Sequence, residues 1–453
     1  FINYAPYLTM FKRLISKLKK SVNQSGEQVQ VISRNDHDIS RDNISENALK
    51  VLYRLKKSGF EAYLVGGGVR DLLLGMHPKD FDVATNATPE QVHALFRGSR
   101  IVGRRFQIVH VRMGRDIIEV TTFRGHHSES DNKNTAKQGR SGVLLRDNVF
   151  GTLEQDAIRR DLTVNALYYD PVEDTVIDYT EGLQDIAARR LKIIGDPETR
   201  YREDPVRMLR VLRFQAKLGF DIDSATNQAL NDYAPLLAQI PAARLFDEFL
   251  KGFMAGHAKP FSEILLESPV WQELFPDSAQ YIDAKVYYRP MLFAAMGNTD
   301  QRINSGQPVT PAFLLAAILW PAVEQGLELA LARGEAPIPA MQSVGQDVIL
   351  RAIERIAIPK RFTTMMREIW DLQMRMDRRR HRKPLEFAQQ KRFRAAYDFL
   401  SLRAQAGQDV GAVVDWWTQF QVEHPELESH RQQQHQDEPR KRRRPRPRRR
   451  PKP

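Results

Sequence analysis

The sequence predicts an α+β chain: a polar leader (1–45), a head of mixed strands and helices (46–200), a helical neck (201–260), a helical body (261–430) and a basic tail (431–453). Three observations predict it. Strand-period and helix-period segments alternate through the head. The strand signal vanishes after "RYREDPVRMLRVLRFQAKLGF" (200–220), and 203–420 reads as helices separated by Pro and Gly breaks. The last fourteen residues, "RKRRRPRPRRRPKP", hold ten Lys or Arg and no acid.

The elements follow in order. "SENALKVLYRLKKSG" (45–59) is a helix with Ser45 as N-cap and Gly59 near its end. "EAYLVGG" (61–67) is a strand, "VRDLLLG" (69–75) a helix and "DFDVAT" (80–85) a strand. "TPEQVHALF" (88–96) is a capped helix. "RIVGRRFQIVHVRM" (100–113) and "DIIEVTTFR" (116–124) are strands joined by "GRD". Residues 125–150 read as a mobile polar loop, in which His126 and His127 are exposed rather than ligands. "TLEQDAIRRDLTVNALYYD" (152–170) reads as helix, and "TVIDYT" (175–180) and "LKIIG" (191–195) as short strands.

A chain of 453 residues has room for two to four domains of roughly 100–200 residues and an ample core. Without cysteine, disulfides and thiolate metal sites are excluded, and a cytoplasmic location is the plain expectation. "PAFLLAAILWPAV" (311–323) is the longest apolar run and reads as a buried helix, short of the roughly 20 residues a membrane span needs. The net charge is +12, and taking away the ten cations of the last fourteen residues leaves +2 for the rest. The tail, with like charges interleaved with Pro, is expected to be disordered and to meet a polyanion such as RNA. Arg440, Arg442, Arg443 and Arg444 are its candidate phosphate contacts. At the other end, "MFKRLISKLKK" (10–20) reads as a native start and a short basic amphipathic helix, giving at most weak peripheral contact with an anionic membrane. No secretory cleavage site follows it.

The chemistry concentrates in "LVGGGVRDLLLGMHPKDFDVATNATP" (64–89). On a strand, Asp80 and Asp82 share a face about 6–7 Å apart, where they repel unless a cation lies between them. Magnesium prefers such oxygen ligands and keeps waters for substrate phosphates. Gly66, Gly67 and Gly68 let a phosphate approach the backbone, and Arg70 adds a cation. The spacing is neither that of a Rossmann fingerprint nor of a P-loop. Glu119, on a strand face with Ile117 and Thr121, and Asp161, four residues before Asn165 on the expected helix, are the two candidates for a third carboxylate.

These residues resemble the branch of the nucleotidyltransferase superfamily that holds bacterial CCA-adding enzymes and bacterial poly(A) polymerases. The similarity continues through "EVTTFR" (119–124), "RRDLTVNALYYD" (159–170), "GDPETRYREDPVRMLRVLRF" (195–214) and "IPAARLFDEFLKGF" (240–253). It implies a small mixed sheet in the head, with all-helical neck, body and RNA-binding domains. It implies Asp80, Asp82 and Asp161 as catalytic carboxylates, with two Mg²⁺ ions (Mn²⁺ as substitute) on Asp80 and Asp82. Nucleotide contacts would come from Gly66, Gly67, Arg70, Asp71, Arg124, Arg160 and Asn165. Asp204 and Arg207 would read the base edge, although Pro205 equally makes Asp204 a helix N-cap.

Two substrate classes share this chemistry, in which an RNA 3′-hydroxyl attacks a nucleotide α-phosphate. "IVGRRFQIVHV" (101–111) resembles the stretch that marks poly(A) polymerases, and a polyarginine tail suits binding of many RNAs without reading sequence. Arg104, Arg105 and Arg210 join the tail as expected RNA contacts, as do the basic stretches "IPKRFTTMMREIW" (358–370) and "MRMDRRRHRKP" (374–384). The reading is therefore a poly(A) polymerase using ATP on RNA 3′ ends of mRNAs and small RNAs, promoting their decay and processing. CCA addition to tRNA and an inactive RNA- or nucleotide-binding module remain the alternatives. RNA-decay or RNA-chaperone partners and a monomeric state are further expectations, with no stable membrane insertion.

Overall fold

The computed structural model describes residues 29–103, 107–125, 136–138, 144–147, 150–376 and 383–427. The expected RNA contacts Arg104, Arg105, Arg440, Arg442, Arg443 and Arg444 lie outside the described residues, as do His126, His127 and residues 10–20. The chain divides into two compact units that meet between Ile240 and Pro241. The boundary falls inside the segment expected to form a single neck, 201–260.

The first unit is built on an eight-stranded mixed sheet. Its strands are β1 (Gln30–Ile32), β2 (Ala62–Val65), β3 (Asp82–Thr85), β4 (Ser99–Val102), β5 (Ile108–Met113), β6 (Asp116–Thr122), β9 (Leu167–Asp170) and β10 (Thr175–Asp178), in the order β1-β10-β9-β2-β3-β6-β5-β4. Between β6 and β9 in the chain, β7 (Ala136–Gln138) and β8 (Leu144–Asp147) form a separate antiparallel pair. β11 (Arg190–Leu191) and β12 (Asp221–Ile222) form another, parallel one. Within the large sheet β3 and β6 run parallel, and the other neighbouring pairs are antiparallel.

The helix Glu46–Lys57 covers one face, because Ala48, Val51, Leu52 and Leu55 recur at the helical period and are buried. Strand β6 alternates: Ile118, Val120 and Thr122 are buried, while Ile117 and Glu119 stay exposed. Thr88 and Gln91 form a reciprocal capping box at the helix Pro89–Leu95, as do Thr152 and Gln155 at Leu153–Ile158.

Three expectations are corrected. Residues 30–32, placed in the leader, pair with β10 at the sheet edge. Residues 125–150 contain β7 and β8. The segment 152–170 is not one helix. Helix stops at Ile158, Leu162 bridges to Ile193, a 3-10 turn covers Thr163–Asn165 and the chain then enters β9. Asp204 ends the preceding helix Pro197–Glu203 and, as expected, also caps the next: its Oδ1 accepts from the Val206 amide at 3.3 Å while Pro205 opens the following helix in helical geometry.

Among its described residues the second unit is helical. The helix Pro311–Ala332 is long and apolar enough by composition to cross a membrane, and 72% of its most apolar window is buried within the structure. It packs against Pro337–Arg355 and Lys360–Met376. A second cluster joins Met376, Phe387, Phe393 and Trp417, whose indole donates to the Met376 carbonyl at 3.2 Å.

Candidate active site

Strand β2 runs into Gly66, whose φ of 75° lies in the left-handed region. Its amide donates to the Leu167 carbonyl at 3.1 Å, and the helix Gly67–Leu73 starts at once. A Cβ at Gly68 would stand 3.4 Å from the Asp80 carbonyl oxygen, which marks how closely this turn approaches the segment leading into β3. A Cβ at Gly66 would stand 3.6 Å from Nη1 of Arg160.

The strand begins at Asp82, and Asp80 precedes it rather than sharing its pleat. The parallel register sets Asp82 directly opposite Glu119, and β5 sets His110 opposite Glu119 on the other side. All three carboxylates are exposed, and His110 Nε2 lies 3.3 Å from Glu119 Oε1. The Asp82 carboxyl is pushed up to about 6 by desolvation, then by the Glu119 charge and by Asp80, with Arg160 opposing. Its surface is nevertheless open to water. Negative charge is therefore concentrated here without a full complement of cations. Such an oxygen donor set fits a hard divalent cation. Among the described residues no three His, Asp or Glu side chains stand in finished metal-ligating geometry, so the ion would be completed by water and substrate oxygens.

Arg160 is the cation beside this cluster. Its Nε donates to the Tyr168 hydroxyl at 3.0 Å and Nη2 to Asp156 Oδ2 at 2.8 Å, which leaves Nη1 toward Gly66. Asp156 also accepts from the Tyr168 hydroxyl at 2.7 Å and the Arg124 amide at 3.2 Å. Burial would raise the Asp156 carboxyl, but Arg160 and these hydrogen bonds hold it below the usual range.

Other expected site residues stand elsewhere. Arg70 is 1% exposed and does not present a phosphate-facing charge. It donates to Asp71 Oδ1 through Nε at 2.8 Å and to Asn165 Oδ1 through Nη1, and its guanidinium lies 4.9 Å from the Phe214 ring centroid. Asp71 is likewise buried and accepts from Lys217 at 2.8 Å. Both position the glycine turn against the helix Val206–Leu218. Asp161 does not join the Asp82 cluster: Oδ2 accepts from Arg210 Nε at 2.5 Å and Oδ1 from the Leu162 amide at 2.9 Å. Burial would raise its carboxyl, but Arg210, the Leu162 amide and Arg207 hold it well below the carboxylate range. Arg210, expected on an RNA path, is thus an ion-pair partner. Asp204 and Arg207 do adjoin, the Arg207 amide donating to the Asp204 carbonyl at 3.0 Å. Sequence reasoning named Arg160 but missed its network with Asp156 and Tyr168, and missed His110; the four-residue spacing of Asp156 and Arg160 held part of the former, and only strand register reveals the latter.

Three sequence families match the chain: the poly A polymerase head domain at 62–192, the probable RNA and SrmB-binding site of polymerase A at 219–282, and the arginine-rich C-terminus of polymerase A at 333–451. The poly(A) polymerase I of Escherichia coli is 49% identical over 404 residues, covering 88% of this chain and 87% of its own. The CCA-adding enzyme of Lactobacillus helveticus is 37% identical over 232 residues, covering 51% of this chain and 55% of its own. A solved CCA-adding enzyme in its apo form II shares the fold, with a TM-score of 0.55 at 19% identity, covering 76% of each chain. One similarity runs through both units at nearly half identity and the other stops about halfway, so the chain belongs to the bacterial poly(A) polymerase family of nucleotidyltransferases.

Proposed function

We infer that the chain is a template-independent polynucleotide adenylyltransferase, adding AMP from ATP to RNA 3′ ends with release of pyrophosphate. The observation that carries this is the similarity to poly(A) polymerase I across 88% of the chain. The raised Asp82 carboxyl supports placing the reaction at the Asp80, Asp82 and Glu119 cluster. Those carboxylates would hold two Mg²⁺ ions, or Mn²⁺ in their place. Bound there, such ions lower the pKa of the attacking hydroxyl and neutralise charge on the leaving pyrophosphate. Arg160 faces the triphosphate beside Gly66 and Gly67, where small residues leave the backbone open. Arg124, at the end of β6, adds charge on the same side. Asp161 and Asn165 serve the ribose end of the nucleotide, each held in place by an arginine. Asp204 and Arg207 read the base: a carboxylate accepts from an exocyclic amine and a guanidinium donates to ring nitrogens.

Arg104, Arg105 and the arginine tail hold RNA through phosphates, without sequence preference. Tailing of mRNAs and small RNAs for decay, association with decay or chaperone proteins, a monomeric state and a cytoplasmic site with weak peripheral membrane contact complete the reading.

The test is extension of a labelled, non-tRNA oligonucleotide ending in A, with Mg²⁺ and each nucleoside triphosphate offered separately. A long ladder with ATP alone is expected. No ladder, with C and A added to a tRNA lacking its end, would make the half-chain similarity to CCA-adding enzymes the better guide.

A further inference from the structure

Arg200 carries no role assigned above, although it lies within the 195–214 motif, and its side chain is heavily committed. It is 9% exposed. Its Nη2 donates to two successive main-chain carbonyls, Arg159 at 2.6 Å and Arg160 at 2.5 Å. Its Nη1 donates to Glu203 Oε2 at 3.0 Å. The same carboxylate oxygen accepts from Arg207 Nη1 at 2.9 Å, and Arg207 Nη1 also donates to the carbonyl of Arg200 at 2.8 Å. The Asp204 amide donates to that carbonyl too, at 3.2 Å. The Nε–H of Arg200 is buried without a partner among the described residues.

The pattern is unusual for a structural ion pair. A guanidinium that serves a single carboxylate needs no second anchor, and leaving a buried donor unmatched is costly. Here one planar fork spans two segments: the turn that carries Arg160 and Asp161, and the 203–207 stretch that carries Asp204 and Arg207. Lysine, a point charge on a flexible stem, cannot hold two carbonyls and a carboxylate in one fixed geometry.

We propose that Arg200 is a positioning residue that sets the distance between the phosphate-holding turn at 159–161 and the base-reading pair Asp204 and Arg207. The proposal rests on the reading of Asp204 and Arg207 given above. Its consequence is that phosphate grip and base choice are coupled through one buried side chain, although Arg200 touches neither. Displacement of the turn relative to the pair weakens both.

The experiment compares Arg200→Lys with the parent protein, after circular dichroism confirms a folded chain, and measures KM for ATP, kcat, and the ratio of ATP to CTP incorporation. Loss of outer-shell positioning of this kind costs about tenfold. The expected result is a KM for ATP raised about tenfold together with an ATP-to-CTP ratio lowered about tenfold, with kcat at saturation changed less. A lower melting temperature with KM and ratio unchanged would overturn the proposal and leave Arg200 a structural anchor. Should Arg200→Lys fail to fold, Glu203→Gln carries the test, because it keeps the carbonyl contacts and weakens the link to Arg207. It is expected to relax the ratio about threefold, since an ion pair becomes a weaker hydrogen bond from a charged donor to a neutral oxygen; an unchanged ratio overturns the proposal. Arg207→Ala separates the two ideas. If it leaves base choice intact, the base-reading assignment fails; if it relaxes base choice and Arg200→Lys does not, only the coupling fails.

Discussion

Two groups of carboxylates in the first unit are treated in opposite ways. Asp156 and Asp161 are tucked in, each answered by an arginine and by backbone amides, and both are held below the ordinary carboxylate range despite burial. Asp80 and Asp82, at the start of β3, and Glu119, opposite Asp82 in the middle of β6, are exposed, and the Asp82 carboxyl is pushed up to about 6. The first group spends its charge on holding the 153–170 segment. The second keeps its charge for something that arrives. A fold that only needed stability would not keep like charges in register across β3 and β6.

The contrast is sharpest in mutants. Asp82→Ala is expected to lower nucleotide addition at least about 1000-fold, as loss of a group that stabilises transition-state charge does, while the melting temperature holds or rises. Extension assays beside thermal unfolding check this, and normal activity in a folded variant would sink the assignment. Asp156→Ala is the opposite case. It strips a partner from the Tyr168 hydroxyl, the Arg160 guanidinium and the Arg124 amide, and is expected to cost about 3 kcal/mol of stability in urea unfolding. A loss under about 1 kcal/mol would show that the network is not what holds Arg160.

Acidity separates the groups further. Asp82 is ionised in the unfolded chain above 3.8 but in the fold only above about 6. Between those values the folded state binds more protons, so this group's contribution to stability falls as pH rises, and the penalty is complete above about 6. Cation binding at the cluster should weaken below about 6, as the proton competes. Asp156 has the reverse sign: its contribution is full at neutral pH and is lost as pH falls into the acid range. The smallest effect expected is on titration itself. Glu119→Gln should move the Asp82 carboxyl down toward 3.8, read by NMR in the absence of divalent cations. An unmoved carboxyl would mean that desolvation and Asp80, not Glu119, raise it.

The local parts of this picture were legible in the sequence: the strand into three glycines, the capped helices, and a strand through Asp82, although the sequence reading begins that strand at Asp80. Each is set by neighbours a few residues away. What was not legible depends on partners brought from elsewhere. For a third carboxylate the sequence reading favours Asp161 over Glu119, whereas the parallel pairing of β3 with β6 puts Glu119 opposite Asp82 and Arg210 engages Asp161. Arg70 follows the glycines like a phosphate ligand, but Phe214, Asp71 and Asn165 enclose it. The segment 152–170 carries apolar residues at helical spacing. The bridge from Leu162 to Ile193 and the pairing of β9 with β2 and β10 override that spacing. Residues 30–32 are too few, within polar surroundings, to signal a strand until β10 offers an edge.

The most direct measurement is urea unfolding of the parent protein and of Asp82→Asn, each with and without Mg²⁺. If the cluster holds unspent charge for a cation, Mg²⁺ should stabilise the parent and barely affect the variant. Without Mg²⁺ above pH 6, the variant should be the more stable by on the order of 1 kcal/mol, the figure being small because Asp82 is open to screening by water. Equal stabilisation of both proteins by Mg²⁺, with Asp82→Asn no more stable than its parent, would contradict the account: Asp82 would then be an ordinary surface carboxylate and the catalytic centre would lie elsewhere.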